Sequence, residues 1–122
     1  MIEVVRKLDI TTQLELLEAC RTIVADAPLF QKTMPTGANF KYLCTSAGEY
    51  GWLSDRKGYR YEETHPITQR HFPPIPRIIY DLTLEVTKSI GEKIIPQSAL
   101  INWYTAHSVY IRIGPKKVMH LL

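Results

Sequence analysis

The chain has 122 residues, 45% of them hydrophobic, with a formal charge of +3 and a pI near 8.9. That length supports one globular domain with a buried core and is too short to presume two. The mild basicity permits contact with nucleic acid without arguing for it, and the apolar runs fall far short of the roughly 20 residues of a membrane span. Cys20 and Cys44 lack CxxC spacing and follow no secretory pattern, so reduced thiols in a soluble, cytoplasmic protein are expected.

Residues 2 to 8, IEVVRKL, read as an edge strand. The segment TTQLELLEACRTIVADAP then changes to helical spacing, with Leu16, Leu17, Cys20, Ile23 and Val24 on one face, Thr12 and Glu15 as a capping box and Pro28 as the stop. From Lys32 to Tyr61 short alternating pieces are broken by Gly37, Gly48, Gly51 and Gly58, the composition of strands and hairpins. EETHPITQRHFPPIP, residues 62 to 76, holds four prolines and predicts an ordered, irregular loop. Pro76 opens a second helix, RIIYDLTLEVTKSI, whose stripe is Ile79, Leu82, Val86 and Ile90 and whose Gly91 suits a left-handed stop. KIIPQSALINWYTAHSVYIRI predicts one or two further strands.

The most pointed local feature is YGWLSDRKGYRY. Trp52, Tyr59 and Tyr61 offer flat faces for bases, while Arg56, Lys57 and Arg60 carry charge for phosphates. A hairpin whose Trp52 packs into the core and whose charges are merely solvated fits the same pattern. The four histidines are scattered, without His-x-Asp, HExxH or zinc spacing, and read as surface or structural groups. There is no GxSxG elbow, P-loop or GxGxxG.

Taken together, TMPTGANFKYLCTSAGEYGWLSDRKGYRY, the FPPIP loop, the helix after it and ALINWY resemble the AlkB family of iron and 2-oxoglutarate dependent nucleic-acid dealkylases. The order and spacing match from about Leu14 to Tyr104. The resemblance implies an α+β chain forming the N-terminal part of a double-stranded β-helix, or jelly roll, with two helices and short antiparallel strands. It places a nucleotide-recognition lid at about 32–61, a helix at 76–91 and the start of the dioxygenase core at 98–104. It further implies that Trp52 stacks on the damaged base, that Tyr59 contacts the nucleic-acid backbone, and that Asn102 and Tyr104 help hold 2-oxoglutarate; Arg56 and Tyr61 join the nucleic-acid set from the local pattern, and Leu100 is counted with the cosubstrate residues. The complete family uses Fe(II) and 2-oxoglutarate to demethylate alkylated single- or double-stranded DNA, and in some cases RNA.

The chain departs from that pattern after Tyr104. Where the family's His-x-Asp would stand it has Ile113, Gly114 and Pro115, and no Asp or Glu follows Glu92. Neither isoleucine nor proline can ligate iron. The expectation is an incomplete jelly roll with an aberrant tail over 105–122, read as a shifted frame or a native but unrelated ending. Such a chain would be a catalytically inactive fragment of an alkylated-DNA repair dioxygenase that takes no cofactor of its own. A non-catalytic module for single-stranded nucleic acid and a non-functional product are the alternatives.

Overall fold

The computed structural model describes residues 7–104, and the backbone alone over 109–113. Most of the expected strand at 2–8 lies outside the described residues, as do His107, His120 and the tail apart from 109–113. Helix α1 runs Ile10–Asp26. Its cap is Asp9 rather than Thr12: the Asp9 carboxylate accepts the Thr12 backbone N–H at 2.8 Å, so Thr12 lies inside the first turn. A carboxylate can satisfy an orphan amide and also complement the helix dipole, so the helix starts earlier than the Thr12/Glu15 spacing implied. Leu16, Cys20 and Ile23 form the buried stripe, with Leu17 and Val24 half-buried at its margins.

Helix α2 runs Arg77–Ser89 behind Pro76, and Gly91 follows at φ +74°, the left-handed conformation that glycine adopts without a Cβ penalty. Its buried residues are Ile79, Leu82, Thr83 and Thr87; Val86 is half-buried and Ile90 is exposed. The stripe therefore turns toward the threonines. Their hydroxyls donate to helix carbonyls, Thr83 to Ile79 at 2.8 Å and Thr87 to Leu84 at 3.2 Å, which lets them enter the core without an unsatisfied donor.

The strands are β1 (Phe30–Thr33), β2 (Asn39–Gly48), β3 (Gly51–Asp55), β4 (Gly58–Glu62), β5 (Ser98–Trp103) and β6 (Val109–Ile113). β1-β2-β5-β6 make a four-stranded antiparallel sheet, and β3-β4 form a separate hairpin. In the central pair Cys44 faces Asn102 and Ser46 faces Leu100. The bend after β2 needs Gly48, whose φ is +119° and whose absent Cβ would strike the Gln97 carbonyl oxygen. Two helices with antiparallel strands give the α+β arrangement expected of a partial jelly roll.

Alternation along β2 and β5 divides the sheet into two faces. One carries Ala47, Ala99 and Ile101 into the main core with Leu16, Cys20, Ile23, Ile79 and Leu82 from the helices. Burial of each large aliphatic side chain there stabilises the fold by roughly 1.5–3 kcal/mol. The opposite face packs Phe30, Cys44 and Leu100 against Leu53 of β3, with Trp52 alongside.

The Pro-rich loop is ordered around His65, which is 1% exposed. Its Nε2 meets the Pro28 carbonyl oxygen at 2.7 Å, while Nδ1 accepts the backbone N–H groups of Ile67 at 3.1 Å and Thr68 at 3.2 Å. That pattern requires the tautomer with its proton on Nε2. Phe30 and Phe72 meet the imidazole edge to face.

Candidate functional site

The sheet face turned away from the helices collects the residues on which chemistry could rest. On β5 the alternation that buries Leu100 also buries Asn102, which is 3% exposed. The Asn102 Nδ2 points to the Tyr104 hydroxyl at 3.5 Å, while Oδ1 has no hydrogen-bond partner among the described residues. On β2 the same alternation places Ser46 beside this point, and its buried hydroxyl likewise lacks a hydrogen-bond partner among the described residues. Buried polar groups are nearly always satisfied in folded proteins, so two such neighbours mark a place prepared for a polar ligand or ordered water.

The β3–β4 hairpin brings the expected base-stacking ring to this face. Trp52 is half-buried, 6.0 Å from the Phe40 ring; Phe40 is 5.6 Å from Tyr42, and Tyr42 is 4.8 Å from Tyr104. A continuous row of rings therefore links Trp52 to Tyr104. Tyr59, diagonal to Trp52 in the hairpin register, stacks on it at 5.7 Å with the planes 15° apart. Tyr59 and Tyr61 are 61% and 50% exposed, so the outer part of the hairpin faces solvent. Trp52 leans on the second core cluster and stays half-buried, with part of its ring accessible.

The hairpin cations divide into two kinds. Arg60 is held by Asp55 through two bonds of 2.8 Å and by Glu62 through another of 2.8 Å. This pairing raises the Arg60 pKa and, with the Lys57 backbone N–H, holds the Asp55 carboxyl down at about 2. Arg60 thus fixes the hairpin and has its charge compensated. Arg56 and Lys57 stand exposed at the tip, where phosphates could reach them.

Sequence reasoning did not single out Lys32, Phe40 or Tyr42 as site residues. Lys32 is 2% exposed, with Nζ 4.0 Å from the centre of the Trp52 ring and 5.9 Å from that of Phe30. Its signal was the strand period: Lys32 lies two residues from Phe30, on the inward side of β1. Burial raises the Cys44 thiol pKa, and the adjacent Lys32 ammonium opposes that shift through charge and a hydrogen bond.

The site fits the two family cofactors unequally. The Asn102 amide and the Tyr104 hydroxyl converge at one point and could both donate to a carboxylate such as that of 2-oxoglutarate, with Leu100 in the adjoining wall. For iron, no three His, Cys, Asp or Glu side chains come together among the described residues.

The model of the 2OG-Fe(II) oxygenase superfamily matches residues 4–113. The alpha-ketoglutarate-dependent dioxygenase AlkB homolog of Caulobacter vibrioides (strain NA1000 / CB15N) is 35% identical over 97 residues, covering 80% of this chain and 43% of that protein. AlkB of Escherichia coli (strain K12) is 26% identical over 91 residues, covering 74% of this chain and 42% of its own. AlkB of Salmonella typhimurium (strain LT2) is 26% identical over 102 residues, covering 83% of this chain and 47% of its own. The chain belongs to the 2OG-Fe(II) oxygenase superfamily as an AlkB-like member. It spans less than half the length of these relatives.

Proposed function

We propose that this chain is the substrate-recognition portion of an AlkB-like dioxygenase acting on alkylated DNA or RNA, and that these 122 residues do not carry out the oxidation alone. The observation that carries the reading is the row of rings from Trp52 to Tyr104, which brings Trp52 and the Asn102–Tyr104 pair together on one sheet face. An extruded base would stack on Trp52, with Tyr59 bordering it and Arg56 reaching the phosphate backbone. Asn102 and Tyr104 would hold one end of 2-oxoglutarate, which in the complete family supplies two electrons for oxygen activation at iron. No iron-dependent step is assigned to this chain, whose described residues lack the ligand set.

A second reading, a non-catalytic module for single strands, draws on Arg56 and Lys57 at the exposed hairpin tip beside the stackable rings. Titrating a labelled single strand with one alkylated base at two salt concentrations tests the recognition common to both. Trp52→Ala should abolish measurable binding, since stacking of one base is worth roughly 1–3 kcal/mol and few other contacts supplement it. Arg56→Ala should weaken binding in a way that low salt partly restores. Wild-type affinity in Trp52→Ala would make Trp52 a core residue and overturn the recognition reading. Oxidation coupled to 2-oxoglutarate turnover by the purified chain would exclude the second reading and would also overturn the proposal that these residues do not oxidise alone.

A further inference from the structure

The tip of the β3–β4 hairpin meets the β1–β2 turn through Arg56 and Gly37. A Cβ built on Gly37 would lie 2.6 Å from Nη2, 2.9 Å from Cζ and 3.4 Å from Nε of Arg56, so the guanidinium rests where a side chain at position 37 would stand. A second fastening lies close by in sequence, where the Ser54 hydroxyl of β3 donates to the Thr33 carbonyl oxygen of β1 at 2.6 Å. The turn itself is closed by the Gly37 N–H donating to the Met34 carbonyl at 2.8 Å and the Met34 N–H donating to the Ala38 carbonyl at 2.6 Å. Within it Gly37 takes φ +94°.

We propose that the two turns act as one phosphate-presenting element, in which Gly37 is a positioning residue that holds Arg56 ready for a phosphodiester of the bound strand. The inference deepens the recognition reading and rests on Arg56 meeting the nucleic-acid backbone. Among the described residues no carboxylate pairs with Arg56, whereas Arg60 is committed to Asp55 and Glu62. The N–H donors of Arg56 therefore stay available, and a planar guanidinium offers them in the paired arrangement that phosphate oxygens accept. The Lys57 backbone N–H donates to the Asp55 carboxylate at 2.8 Å, which shapes the tip that carries Arg56.

An unrestrained arginine at a hairpin tip samples many rotamers, and ordering it on binding lowers affinity. Lodging the guanidinium in the space left by the missing Cβ removes part of that cost before the strand arrives, a gain of about threefold to tenfold in affinity. A side chain at position 37 would take that space. Because the atoms it meets end a long, flexible side chain, Arg56 would swing aside while the core stayed packed.

The test uses the purified chain and a labelled single strand carrying one alkylated base. Dissociation constants are measured at two salt concentrations for the wild type, Gly37→Asn, Arg56→Ala, Gly37→Asn combined with Arg56→Ala, and Trp52→Ala. Asparagine adds a Cβ yet is among the side chains that best tolerate positive φ. Gly37→Asn should weaken binding about threefold to tenfold, and by less than about twofold once Arg56→Ala is present. A glycine with a merely structural role would weaken both backgrounds alike. In the unaltered chain a nuclear Overhauser contact between the Arg56 Nε–H and the Gly37 α-protons should be present before the strand is added and persist afterwards, while the Arg56 Nε–H signal shifts. Equal losses in the two backgrounds, no loss in Gly37→Asn, or absence of that contact in the free chain would overturn the positioning role, and the last of these depends on no variant folding. If binding disappears in Trp52→Ala while any of these holds, the positioning role alone fails. If Trp52→Ala binds the strand as the wild type does, the recognition reading fails and the positioning role with it.

Discussion

Asp55 shows how one side chain sets the acid tolerance of the β3–β4 hairpin. Its carboxylate accepts two bonds from Arg60 and one from the Lys57 backbone N–H, and its pKa falls from 3.8 to about 2. A pKa depressed in the folded state stabilises that state at pH values above the ordinary carboxylate value, and the stabilisation is lost as pH falls through the folded value. The hairpin should therefore keep its amide chemical shifts from pH 8 to about 5 and loosen between about 4 and 2. Asp55→Asn should remove that acid step in an NMR titration, because the amide has no charge to lose. Gly48 makes a different demand. Any side chain there meets the Gln97 carbonyl in a left-handed backbone, so Gly48→Ala should cost about 2–4 kcal/mol in urea denaturation.

At the scale of elements, the His65 loop should prove a structural clamp. Removing the imidazole leaves the Ile67 and Thr68 N–H groups and the Pro28 carbonyl without their partner, so His65→Ala should lower stability by about 3 kcal/mol in urea denaturation. An unchanged midpoint would mean that the loop contributes little to the fold. Periodicity made much of this level legible: both helices, the hairpin segment and the final strand run could be placed from apolar spacing and breakers. What local pattern could not give was the competition at helix ends and along stripes. Asp9 outcompeted Thr12 because its carboxylate reaches the open amide, and Thr83 and Thr87 took core positions because helix carbonyls accept their hydroxyl protons.

At the scale of the whole molecule, the site depends on three segments far apart in sequence. Trp52, Tyr59, Asn102 and Tyr104 were readable from resemblance, because their motifs GW, GY and NWY are compact. The position of Lys32 beside the Trp52 ring was not, since it follows from the antiparallel pairing of β1 with β2 and from the hairpin folding back over that pair. Side-chain types alone carry no record of such long-range pairing. The purified 122-residue chain, which lacks His-x-Asp, should show no iron-dependent succinate formation from 2-oxoglutarate with a methylated oligonucleotide.

The most direct measurement is one set of ¹⁵N-correlation spectra, in which the indole N–H of Trp52 and the side-chain amide of Asn102 are both visible. A single strand bearing an alkylated base should move the Trp52 indole signal and leave that of the exposed Trp103 nearly still. 2-Oxoglutarate should move the Asn102 amide, and Tyr104→Phe should reduce that response. Signals at Trp52 and Asn102 that both stay fixed at saturating ligand, while changes cluster elsewhere on the molecule, would contradict a shared recognition face.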